Sequence, residues 1–126
     1  GSIADAIKAG GYDYLYGYAR SPEEIKGVTP HAVDTEVELA HLDRYITTKD
    51  VARELPNLVD LSTLLALGAQ CPNVQREFPV ATVWQDETGQ FWFALLDGCG
   101  VERSLYVGQR DPSDRWRDRC RFLVRK

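Results

Sequence analysis

Residues 80–107, VATVWQDETGQFWFALLDGCGVERSLYV, hold three apolar runs separated by two short glycine-bearing breaks, the pattern of an antiparallel meander. Asp86-Glu87-Thr88-Gly89 has the composition of the first turn and Asp97-Gly98-Cys99-Gly100 that of the second. In the middle run Phe91, Phe93 and Leu95 would face one way, and Trp92, Ala94 and Leu96 the other, so this strand is apolar on both sides. A strand of that kind needs two covers. Helices from the first half of the chain can supply one, and the other is expected to be a lid, a ligand or a second copy of the chain.

The helical half reads as follows. Ser2 caps a helix over 3–9 that stops at Gly10-Gly11, and Ser21-Pro22-Glu23-Glu24 starts a short helix that ends by Gly27. From Thr29-Pro30 to about Ile46, Val33, Val37, Leu39, Ala40, Leu42 and Ile46 suggest a longer helix with an acidic outer face. Thr47 to Asp50 caps a helix over 51–55, broken at Pro56, and residues 58–69 form the most apolar helix, expected against the sheet. Arg119 to Arg125 alternates basic and apolar residues, which suggests an edge strand. Tyr12, Tyr14, Tyr16 and Tyr18 have period two, but a helix would also pair them, so the pattern leaves strand and helix both open. The expected architecture is α+β, with N-terminal helices packed on one face of a C-terminal four-stranded antiparallel meander. Gly1-Ser2 resembles a cleavage scar, leaving 3–126 as a single domain.

Charge is unevenly placed. Residues 1–101 carry 7 basic and 15 acidic side chains, whereas 102–126 carry 8 and 4. An acidic bulk argues against general duplex binding, where phosphate neutralisation supplies most of the affinity, yet the basic tail keeps a local nucleic-acid site open. Three dispersed cysteines without a CxxC pair suggest free thiols in a reducing cytoplasm, and no run approaches the length of a membrane span.

Signals for chemistry are sparse. Glu38 and His41 stand at i and i+3 on the expected long helix near Asp34, but the second Glu-x-x-His of a di-metal bundle is missing. Neither metal nor cofactor is expected. Thr48 to Leu55 resembles the first half of a helix-turn-helix, but Pro56 falls where that turn wants glycine and the next helix lacks basic side chains. Cys99, between two glycines, could act as a thiol nucleophile only beside His31 or His41. No catalytic residue is assigned.

The reading is therefore a binding domain. Trp84, Trp92 and Leu96 form its apolar sheet face, joined by Tyr106 and by the Tyr14 and Tyr16 platform, for homodimerisation or for a small apolar or aromatic ligand. Trp116, flanked by Arg115 and Arg117, is the candidate exposed anchor. The alternatives are single-stranded nucleic-acid binding through Trp116, Arg115, Arg117, Arg119 and Arg121, and a Cys99 thiol enzyme.

Overall fold

The computed structural model describes residues 1–126 as an α+β fold. Its elements are α1 (Ile3–Ala9), β1 (Tyr14–Gly17), β2 (Val37–Ala40), β3 (Ile46–Thr47), α2 (Thr48–Glu54), α3 (Leu61–Gln70), α4 (Val74–Glu77), β4 (Val80–Gln85), β5 (Phe91–Cys99), β6 (Glu102–Arg110), β7 (Arg115–Trp116) and β8 (Arg121–Arg125). Six strands form one mixed sheet in the order β1-β6-β5-β4-β8-β2, and β3 and β7 form a separate pair.

The expected four-stranded antiparallel meander is therefore too small a sheet. β4, β5 and β6 do form a meander, but β1 adds to β6 in parallel, β8 adds to β4 in parallel, and β2 closes the far edge antiparallel to β8. β8 is consequently an interior strand and not an edge. The long helix expected from residue 29 does not form. Val37, Glu38 and Leu39 alternate in a strand, so the i, i+3 face of Glu38 and His41 is never made. Residues 21–27 hold only a 3-10 turn, Pro22–Glu24.

The first meander turn follows its chemistry, whereas the second is shorter than expected: Asp97, Gly98 and Cys99 stay paired in β5, and the chain reverses at Gly100-Val101. Gly89 takes φ +87°, and Asp86 accepts from the Thr88 amide at 2.8 Å, the Thr88 hydroxyl at 2.6 Å and the Trp92 indole at 2.9 Å. Together these hydrogen bonds, Thr88's first and then Trp92's, hold the Asp86 carboxyl down to about 2.

Two cores lie on opposite faces of the sheet. On one, Ile3 and Ile7 of α1 and Leu61, Leu64 and Leu65 of α3 pack against Trp92, Ala94, Leu96, Leu105 and Val107. On the other, Ile46, Val51, Trp116 and Cys120 cover Ala81, Val83, Phe91, Phe93 and Phe122. The second cover is thus a lid from the chain itself, built from two segments far apart in sequence. The Thr48 amide and hydroxyl both donate to the Asp114 carbonyl, at 2.8 and 3.0 Å, and the Trp116 indole donates to the Thr48 hydroxyl at 3.1 Å.

Arg103 on β6 joins the helical layer to the sheet. It is buried, and its guanidinium donates to the carbonyls of Gly10 and Gly68, both at 2.6 Å, and to Gln75 Oε1 at 3.1 Å. Gly10 caps the C-terminus of α1 and Gly68 lies in the last turn of α3, so the charge faces two helix ends that carry partial negative charge. Tyr12 lies against the same guanidinium, 4.8 Å from ring centroid to Cζ. A Cβ at Gly10 would come within 2.3 Å of the Tyr12 ring and one at Gly68 within 2.1 Å of its hydroxyl, so both positions have to be bare.

Two outcomes are expected. Arg103→Met removes three charge-assisted hydrogen bonds and leaves buried acceptors without donors, costing about 3 kcal/mol, or roughly 10 °C in Tm by calorimetry. Because the Asp86 carboxyl is depressed in the fold, its stabilisation is complete above its usual value of 3.8 and is lost as pH falls toward about 2. Asp86→Asn should therefore flatten the stability profile measured by denaturant melts between pH 4 and pH 2.

Candidate functional site

The lid leaves part of its sheet face open, and there the structure gathers two features. The first is a groove of about 380 Å³ between α4 and β7, with Leu95, Trp116 and Cys120 among its lining residues and Arg76, Arg110, Arg115, Arg117 and Arg119 around it. Only Glu77 and Asp97 bring negative charge to its wall. No carboxylate lies within 4 Å of any of the five guanidiniums, because the ion pairs of Arg44 with Glu54 and of Arg53 with Asp50 and Glu54 are made on α2 and its approach.

Several of these arginines are held in place by groups other than carboxylates. Arg110 Cζ sits 4.2 Å from the Trp116 ring centroid and 5.2 Å from that of Phe93, while its Nη1 donates to the Arg115 carbonyl at 3.2 Å. Arg76 donates to the Val101 carbonyl at 2.8 Å and to Asn73 Oδ1 at 2.5 Å. Arg121, at the neighbouring rim, lies over Phe78 at 4.5 Å. Arg117 and Arg119 are exposed.

The second feature is a row of aromatic rings across the same face. Tyr14 and Tyr16 are 6.3 Å apart, Tyr16 and Tyr106 6.2 Å, Tyr106 and Phe93 5.1 Å, Phe93 and Trp116 5.6 Å, and Trp116 and Phe122 5.5 Å. The row is exposed at Tyr14, Tyr16 and Tyr106 and becomes buried where the lid contributes Trp116. Strand register aligns it, with Tyr16 opposite Tyr106 and Tyr106 opposite Leu95. A shallow cleft walled by Phe93, Leu95, Tyr106, Arg110 and Trp116, with Gln109 and Asp114 at its polar side, adjoins the arginine groove.

The sequence-derived site residues divide accordingly. Trp84 and Trp92 stack at 6.4 Å on the helix-covered face, with Trp92 and Leu96 buried there, so this pair belongs to the interior rather than to a contact surface. Trp116 is buried, not an exposed anchor, since as part of the lid it packs edge-on against Phe93 and Phe122. Arg115, Arg117, Tyr14, Tyr16 and Tyr106 stay exposed on one side of the molecule. Sequence reading missed Arg76 and Arg110, whose proximity to Arg115 and Arg117 depends on tertiary structure.

Two other constellations resolve into structural roles. His31 places Nε2 2.5 Å from Asp60 and Nδ1 2.7 Å from the Ala32 carbonyl. Both partners are acceptors, and the Ala32 carbonyl, with help from Asp60, raises its pKa. Neither nitrogen is free to take a proton from nearby Ser62. His41 contacts the Asp118 carbonyl at 2.7 Å, which leaves exposed Cys99 without a histidine base. No cluster of three potential metal ligands is present. No helix is long and apolar enough to cross a membrane.

Comparison with known proteins finds no matching family model and no significantly similar curated protein or solved structure.

Thiol titration of the native protein should show two fast groups, Cys71 and Cys99, both exposed. Burial pushes the Cys120 thiol up to about 12, so it should react only after denaturant is added.

Proposed function

We propose that this chain is a binding domain whose ligand is anionic and lodges in the arginine groove between α4 and β7. The supporting observation is the group of five guanidiniums around one groove with no carboxylate against any of them, in a protein whose net charge is −4. Exposed like charges at this spacing repel by at most about 1 kcal/mol per pair in water, a cost the fold tolerates and an anion offsets. Arg110 and Arg76 are already oriented by ring faces and backbone carbonyls, so less side-chain freedom is lost when a ligand arrives. Guanidiniums suit phosphate or carboxylate groups because each can offer two parallel N–H donors.

This reading replaces the apolar sheet face as the reason for binding. Trp92 and Leu96 are satisfied by α1 and α3, and the opposite side of β5 is largely satisfied by the lid, so no apolar demand for a second copy is left at these residues. It also favours binding over thiol catalysis, because each histidine is hydrogen-bonded away from Cys99.

Calorimetric titration with inorganic tripolyphosphate should give saturable binding at 25 mM NaCl that weakens steeply by 150 mM. Arg115→Gln/Arg117→Gln should reduce affinity at least tenfold, whereas Arg53→Gln, away from the groove, should leave it unchanged. Absence of binding at low salt, or equal affinity in the Arg115/Arg117 variant, would overturn the assignment.

A further inference from the structure

Resting on the anionic-groove reading, we propose that the ligand is a single-stranded nucleic acid, its phosphates held by the arginines and its bases stacked on Tyr16 and Tyr106. A groove of guanidiniums alone suits any polyanion. What distinguishes a nucleic acid is the adjoining row of exposed aromatic rings, which a carboxylate-rich peptide has no π-face to use.

Continuity of the two features carries the inference. Arg110, Leu95 and Trp116 line both the groove and the cleft that reaches Tyr106, so the guanidiniums and the rings adjoin through shared walls. Tyr16 and Tyr106 are 48% and 44% exposed although they lie on a strand face, where large aromatic side chains are normally covered. Their backbones are fixed in register on neighbouring strands, β1 and β6. Base stacking on such rings tolerates any sequence, and a cationic channel tracks the backbone beside it.

Charge also sets the direction of the path. Tyr14 is next to Asp13 and feels the Glu102 carboxylate, so the outer end of the row repels phosphate, and at the inner end Arg110, Arg115 and Arg117 outnumber the single Asp114 carboxylate in the cleft and attract it. The backbone of the strand therefore runs on the groove side, with bases turned toward Tyr106 and then Tyr16. A duplex hides its base faces and cannot make this contact.

The test is fluorescence anisotropy with labelled twelve-nucleotide probes at 50 mM NaCl on the whole chain. The probes are oligo-dT, oligo-rU, an abasic strand with the same phosphates, a DNA duplex, and poly-glutamate of matched charge. Oligo-dT or oligo-rU should bind at least tenfold tighter than the abasic strand, the duplex and poly-glutamate, and the better of the two indicates DNA or RNA as the source. Tyr16→Leu/Tyr106→Leu, verified as folded by circular dichroism, should fall to within threefold of the abasic strand and leave tripolyphosphate affinity unchanged. If the abasic strand or poly-glutamate binds as well as oligo-dT and oligo-rU, or the tyrosine variant keeps its preference for bases, the nucleic-acid proposal is overturned while the anionic groove stands. If tripolyphosphate and every strand fail to bind, the groove itself is overturned, and this proposal with it.

Discussion

A single buried guanidinium fixes how the two halves of this fold meet. Arg103 is carried by the first residues of β6, beside its turn from β5, yet its donors end on α1, α3 and the Gln75 side chain at α4. Gln75 in turn donates to the carbonyls of Asp97 and Ser104, at 2.8 and 2.9 Å, so the helix that forms one bank of the groove is tied to β5 and β6. Burying a charge costs several kcal/mol, and three charge-assisted hydrogen bonds offset roughly that amount. Its net contribution to stability is thus modest, whereas its contribution to position is large. Without it, α1 and α3 would lose their shared polar tie to β6, and α4 would be left with its Gln75 and Arg76 bonds.

The second organising constraint is the two-faced strand. Residues 91–96 announce themselves in the sequence because alternate positions are all apolar, and the glycine-bearing turns on either side fix the neighbours locally. That much was legible. The remaining strands join through pairings across long separations, and no local turn marks them. β2 shows the ambiguity well: Val33, Val37 and Ala40 satisfy a helical spacing, while Glu36, Val37, Glu38 and Leu39 satisfy alternation, and the vacant edge of β8 decides between them. The lid was foreseen only as one of several ways to cover an apolar face. Its two pieces, around Ile46 and Trp116, are recognisable as partners only in three dimensions.

Legibility of the site was uneven for the same reason. Arg115, Arg117 and Trp116 drew attention by being adjacent, but adjacency places alternate side chains on opposite sides of a strand. Trp116 therefore turns inward against Phe93 while its arginine neighbours turn out. The tyrosines at 14 and 16 share one exposed face, whereas Tyr12 packs beneath α1 and α3 and Tyr18 packs against Trp92 at 5.0 Å. One period-two pattern thus serves two purposes, and the break is made by β1 being only four residues long.

Placing β8 inside the sheet has a consequence for biosynthesis. The strand that separates β4 from β2 follows both of them in the chain, so the β4–β6 hairpins can assemble while Val37–Ala40 still waits for its partner. Closure of the sheet, and with it the anchoring of Asn57 and Val59 to the backbone of residues 123–125, waits until synthesis has passed residue 125. Until β8 arrives, Val37–Ala40 is an unzipped edge open to mispairing.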